Sequence, residues 1–128
     1  RLHPGVRHVL PVALRRWRRS LWQRRAREEI AAFVSVLRQR EYDAVIDTQG
    51  LLKSALVARL ARGRRYGLDW ASSREPLAVF YDETFRVPWT QHAVERNRSL
   101  AAQALRYGRF AEIDYGIGPA RCDFTWLK

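Results

Sequence analysis

A single cysteine, Cys122, stands among the 128 residues, so no internal disulfide can form. No Cys pair and no Cys/His cluster has metal-ligand spacing, which sets aside a structural zinc site and fits a reducing cytosol. No apolar run approaches the roughly 18 residues of a membrane-spanning helix, and no charged start leads into the apolar stretch of an export signal. Methionine is missing even at position 1, which reads as an internal piece of a longer chain. Lysine is scarce, since 22 of the 24 basic residues are Arg. Residues 1–27 contain no acid but nine Arg. Internal repeats and low-complexity tracts are absent as well.

Set against these gaps is a chain that is 47% apolar, with five Trp, five Tyr and five Phe. Such a composition excludes disorder and predicts one domain with a packed core. The formal charge of +11 is unevenly distributed. Positions 28–128 hold 15 basic and 13 acidic residues, so nearly all the excess lies at the N-terminal end.

Residues 6–12 alternate weakly and predict a short strand ending near Pro11, which would interrupt a central ladder. A basic and aromatic segment covers 13–22. Ile30, Phe33, Val34 and Leu37 recur at helical spacing and predict a helix over 24–40. Residues 42–47 read as a strand, 48–50 as a tight loop, and 51–61 as a helix. Residues 63–67 supply a helix stop and a short strand, making 44–67 a βαβ-like unit and the fold class α/β with a parallel sheet. Pro76 and Pro88 break the pattern of 69–88, which reads as irregular. A last helix is predicted over 93–107, with Val94, Ala101 and Leu105 on one side and Leu100 and Ala104 near it. Gly108, Gly116, Gly118 and Pro119 then crowd the tail.

Arg15, Arg16, Arg18 and Arg19 lie within five residues, beside Trp17 and Trp22. Planar, bidentate guanidinium groups suit phosphate or carboxylate, and an indole can pack on an acyl chain or a sugar ring. Nucleic acid, an anionic membrane surface and a phosphorylated amphiphile all fit; a solvated basic loop is the plain alternative. The near balance of charge after residue 28 and the lack of any helix-turn-helix, zinc-finger or RNP pattern weigh against nucleic acid. Gln49, Gly50, Lys53 and Ser54 fall where a strand meets a helix start, an edge at which backbone N–H groups face ligands in parallel sheets. The Gly spacing is neither a Walker motif nor a dinucleotide fingerprint. Asp47 at the strand end reads as a loop-satisfying carboxylate. Arg74 occupies a loop beside Glu75. His92, Glu95 and Arg96 share a helix face, as a surface ion pair or, more sharply, a His/Glu acid-base pair.

Four ordered blocks resemble the lipopolysaccharide heptosyltransferase I family: Leu14 to Arg19, Tyr42 to Ala55, Asp69 to Ala78, and His92 to Arg96. The second heptosyltransferase of that pathway lacks the Asp-Thr-Gln-Gly found here at 47–50. The resemblance implies the incomplete, Rossmann-like N-terminal half of a GT-B glycosyltransferase. Residues 1–118 would form the acceptor-binding domain without its first strand, loop and helix, 119–128 an unassigned tail, and the donor-binding C-terminal domain would be absent. Full-length relatives would transfer heptose from ADP-heptose to Kdo-modified lipid A by a metal-independent, inverting displacement that uses no cofactor. Their proposed catalytic Asp would precede Arg1, leaving no catalytic residue in this chain and the chain alone inactive. Arg15, Arg16, Arg18 and Arg19 would belong to a mobile acceptor loop, with Arg74 as a second anion contact. Gln49, Gly50, Lys53, Ser54 and His92 would lie near the cleft. The implied setting is cytoplasmic, on the inner face of a Gram-negative inner membrane, without nucleic acid. A small basic nucleic-acid-binding module is the competing reading.

Overall fold

The computed structural model describes residues 5–108, so the expected domain boundary at 118, the Gly116 to Pro119 cluster and Cys122 lie outside the described residues. Residues 5–11 contain no strand, contrary to the alternation. The physical reason is exposure: Val6 and Val9 face solvent, so no buried side rewards pairing, and Pro11 lacks an N–H for a ladder.

Described residues 12–108 belong to one compact unit in which helices flank a three-stranded parallel sheet. The helix α1 (Leu14–Arg19) occupies the basic segment and α2 (Arg24–Arg38) follows. Strand β1 (Glu41–Ile46), helix α3 (Leu52–Leu60) and strand β2 (Arg62–Leu68) make the expected βαβ unit. One 3-10 turn (Ala78–Phe80), strand β3 (Glu83–Phe85) and helix α4 (Ala93–Leu105) complete it. The sheet order is β1-β2-β3.

Strand β3 falls within the segment expected to be irregular. Three residues are too few to show a period, and neighbours rather than local pattern place them: Tyr66, Gly67 and Leu68 pair with Glu83, Thr84 and Phe85. Arg65 anchors the approach to β3, donating from its backbone N–H and twice from its guanidinium to Asp82 at 2.7–2.9 Å. These bonds hold the Asp82 carboxyl down to about 2.

Successive residues of β2 face opposite sides of the sheet. Gly67 faces Tyr81, which packs with Ala55 of α3 and Leu77, while Leu68 packs with Val87 and Leu100 of α4. Ala55 and Ala58 are the buried residues of α3, and their small side chains let it sit close to its neighbours while Leu52 and Leu56 remain exposed. Helix α4 ends at Arg106 in the left-handed conformation, with the Tyr107 N–H returning to the Ala102 carbonyl. Its buried side is Ser99, Leu100, Ala102 and Ala104; Leu105, expected on that side, is exposed.

Candidate anion-binding site

The short helix α1 forms because Trp17 has somewhere to go. Its ring is buried and lies 5.6 Å from that of Phe33 on α2, and its indole N–H donates to Glu29 at 3.0 Å. Arg16 reaches the same carboxylate, and Arg25 approaches it at 3.6 Å. The indole hydrogen bond, helped by the two guanidinium groups, holds the Glu29 carboxyl below the usual carboxylate range. Trp17 is therefore a packing residue, which leaves Trp22 as the exposed indole of the segment.

Anchored in this way, α1 forms one wall of a groove of about 1200 Å³. Arg15, Arg16, Arg18 and Arg19 line it from α1, facing the end of β1 and the first turns of α3, where Asp47, Gln49, Lys53 and Ser54 line it. The volume exceeds the roughly 300–1,000 Å³ of a drug-sized pocket, as a bulky ligand would require. Arg16 is directed to Glu29, but among the described residues Arg15, Arg18, Arg19 and Lys53 make no ion pair. The acid of the groove is already committed. Asp47 is buried, and its two carboxylate oxygens accept from the Gln49 N–H at 2.9 Å and from the Tyr81 hydroxyl at 2.8 Å. Burial, reinforced by that carboxylate, pushes the Tyr81 phenol far above its ordinary value. The surplus charge of the groove is positive, and it suits an anion.

At the start of α3 the Leu51 and Leu52 backbone donors are already committed within the chain. The Glu75 carboxylate accepts from the Leu52 N–H, and Ser54 Oγ accepts from the Leu51 N–H at 3.4 Å while donating to the Leu51 carbonyl at 2.8 Å. An internal carboxylate already occupies the position at which an anion would meet the helix start. Gly50, at φ +61°, makes the bend into α3, and a Cβ there would touch Ser73 at 3.4 Å. Gly50 is thus a hinge of backbone geometry and does not line the groove.

Arg74 is exposed on the loop after β2, next to Glu75, which ties that loop to α3. It shares the carboxyl edge of the sheet with the groove without forming part of its wall. His92 caps α4, its Nδ1 accepting from the Val94 N–H at 3.4 Å, and it is not on the groove either. No ion pair among the described residues links it with Glu95 and Arg96. Arg96 instead stacks on Trp89 at 3.7 Å and donates to the Ser72 carbonyl at 2.6 Å.

Residues 30–119 match the family model described as glycosyltransferase family 9 (heptosyltransferase). The chain belongs to glycosyltransferase family 9. Lipopolysaccharide heptosyltransferase 1 of Escherichia coli K12 is 49% identical over 118 residues, covering 90% of this chain and 37% of that protein. The Pseudomonas aeruginosa protein of the same name is 50% identical, covering 90% and 33% respectively. A solved structure of E. coli heptosyltransferase WaaC with ADP has a TM-score of 0.86 at 46% identity, over 90% of this chain and 37% of that one. A second, with ADP-2-deoxy-2-fluoro heptose, has a TM-score of 0.84 at 44% identity, over 88% and 36%. The chain thus spans about a third of the length of these relatives. The parallel α/β class expected of it holds, and no helix among the described residues is long and apolar enough to cross a membrane.

In this family 9 chain the supporting residues escaped the sequence reading. Tyr81, Glu29 and Glu75 fix Asp47, α1 and the α3 start from 34, 12 and 23 positions away, separations that no local pattern reveals. Ser72 accepts from the Val87 N–H at 2.8 Å, and Trp89 donates to the Ala71 carbonyl at 2.8 Å, so the loop bearing Arg74 is held from the β3–α4 connection.

Proposed function

We propose that this chain supplies the acceptor side of a heptosyltransferase of GT-B type, which moves heptose from ADP-heptose to Kdo-modified lipid A. One observation carries the reading: a large groove in which Arg15, Arg18, Arg19 and Lys53 make no ion pair among the described residues. Phosphates and Kdo carboxylates on the acceptor would complete those cationic groups, with Arg74 reaching the same ligand from the neighbouring loop. The implied transfer is an inverting displacement at the anomeric carbon, in which a carboxylate takes the proton of the attacking Kdo hydroxyl. Asp47 is ill suited to that step, because it is buried and both of its oxygens already accept hydrogen bonds. Its role is to hold Gln49 and the floor of the groove. An acceptor embedded in lipid places the protein at the inner face of the inner membrane.

The test is binding of the chain to Kdo-modified lipid A in detergent, beside duplex DNA at equal ionic strength. Arg15→Ala, Arg18→Ala and Arg74→Ala are expected to weaken lipid binding about tenfold each, the scale of one lost charge-assisted hydrogen bond. Arg40→Ala is the control, since Arg40 precedes β1 at the opposite end of the strand. Equal binding of both anions, or an equal loss from Arg40→Ala, would reduce the cluster to a nonspecific charge patch.

A further inference from the structure

The turn joining α1 to α2 displays apolar surface that the groove does not use. Trp22 is 76% exposed and Leu21 51% exposed, while Trp17, five residues earlier, is 7% exposed and pinned to Glu29 and Phe33. The turn has its own hydrogen bonds, from the Ser20 N–H to the Trp17 carbonyl at 3.0 Å and from the Gln23 N–H to the Ser20 carbonyl at 2.9 Å. Its backbone therefore holds both side chains outward instead of letting them fold back. Exposed Arg18 and Arg19 precede the pair, and Arg24 and Arg25 follow it. No acid occurs before Glu28.

An outward indole and isobutyl group framed by guanidinium groups match the boundary of an anionic bilayer. Indole rings favour the headgroup level, aliphatic side chains the acyl chains just beneath it, and Arg the lipid phosphates. We propose that the 20–23 turn is an interfacial wedge: Leu21 and Trp22 enter the outer acyl region of an anionic membrane, drawn to it by the surrounding positive charge of the segment, of which Arg24 is shared with Glu28 at 2.8 Å. Two observations favour lipid over nucleic acid. Leu21 offers aliphatic surface that contributes nothing to base stacking, and the near balance of charge after residue 28 leaves no basic track for a phosphate backbone. The wedge adjoins the wall formed by α1, so a lipid acceptor could keep its acyl chains in the bilayer while its sugars and phosphates enter the groove. In identifying the surface as anionic lipid, the inference rests on the acceptor reading.

The experiment measures partition of the 128-residue chain onto phosphatidylcholine vesicles with and without phosphatidylglycerol, with brominated lipid as a depth quencher of Trp fluorescence. The chain is expected to partition onto the anionic vesicles, and the Leu21→Ser/Trp22→Ser double variant to lose roughly fiftyfold, the scale of returning on the order of 100 Å² of apolar surface to water. Trp22→Phe should retain binding but lose most of the bromine quenching. Both variants should keep the thermal melt of the parent, since the altered side chains are exposed. Unchanged partition of the double variant overturns the proposal, as does undiminished quenching in Trp22→Phe. A parallel loss of duplex DNA binding would also overturn it, by revealing a stacking platform. If Kdo-lipid A earns no preference over phosphatidylglycerol while the double variant still falls away, the acceptor reading fails and the wedge stands.

Discussion

Replacing Tyr81 with Phe removes one oxygen from the interior and leaves the rest of the side chain in place. The consequence falls on Asp47, which is 6% exposed and receives the Tyr81 hydroxyl at 2.8 Å. Its other oxygen keeps the Gln49 N–H, so the variant holds a buried carboxylate with half of its donors. A hydrogen bond to a charged group contributes about 1.5–3 kcal/mol, and a buried acceptor left unpaired costs a similar amount, so Tyr81→Phe should destabilise by about 2 kcal/mol near pH 8. With a urea slope of about 1–3 kcal/mol/M for a small protein, the midpoint should fall by about 1 M with the slope unchanged. The cost should also depend on pH. The folded-state pKa of Tyr81 is raised, so its contribution is complete below the ordinary phenol value and is lost as the pH climbs above it, where the unfolded chain ionises first. The gap between parent and variant should therefore narrow above about pH 10. A double-mutant cycle with Asp47→Asn isolates the pair, with an expected coupling of about 1–2 kcal/mol. A midpoint within about 0.2 M of the parent would refute the view that this bond holds the groove floor.

Two other perturbations test the sheet. Gly67→Ala would set a Cβ 2.3 Å from the Tyr81 ring, so the ring must leave its place; unfolding should show a loss of about 2–4 kcal/mol, combining overpacking with the lost Asp47 bond. With Tyr81→Phe already present the ring clash remains, so the loss should shrink only by the share that the Asp47 bond contributes. Asp82→Asn should cost about 1 kcal/mol at pH 7, a value reduced for the partial solvent screening of a carboxylate that is 38% exposed. Because the folded-state pKa is depressed to about 2, the difference between parent and variant should be full above about pH 4 and disappear as the pH falls through 2, as urea midpoints across that range would reveal.

Periodicity and turn chemistry carried far in this chain, and their failures follow a physical pattern. The α2 face of Ile30, Phe33, Val34 and Leu37 and the strand-loop-helix order around Asp47 are local consequences of side-chain spacing. Strand β3 was not legible, since three residues paired to β2 derive their conformation from partners 17 positions earlier. Residues 6–12 failed in the opposite sense: the alternation is present, but no sheet face receives it.

For the site, residue types and order point to Arg15, Arg18 and Arg19 as anion-seeking and favour a solvated helix-start role for Lys53, and they predict the α/β class. Charge and hydrogen-bonding capacity belong to the side chains themselves, and they survive whatever fold surrounds them. Only the tertiary structure decided which neighbours consume that capacity. It directs Arg16 to Glu29, covers the α3 start with Glu75, turns His92 into a helix cap, buries Trp17 and leaves Trp22 in water. The reason is that satisfaction of a polar group and burial of an apolar one are properties of pairs, and these pairs are set by packing between distant segments.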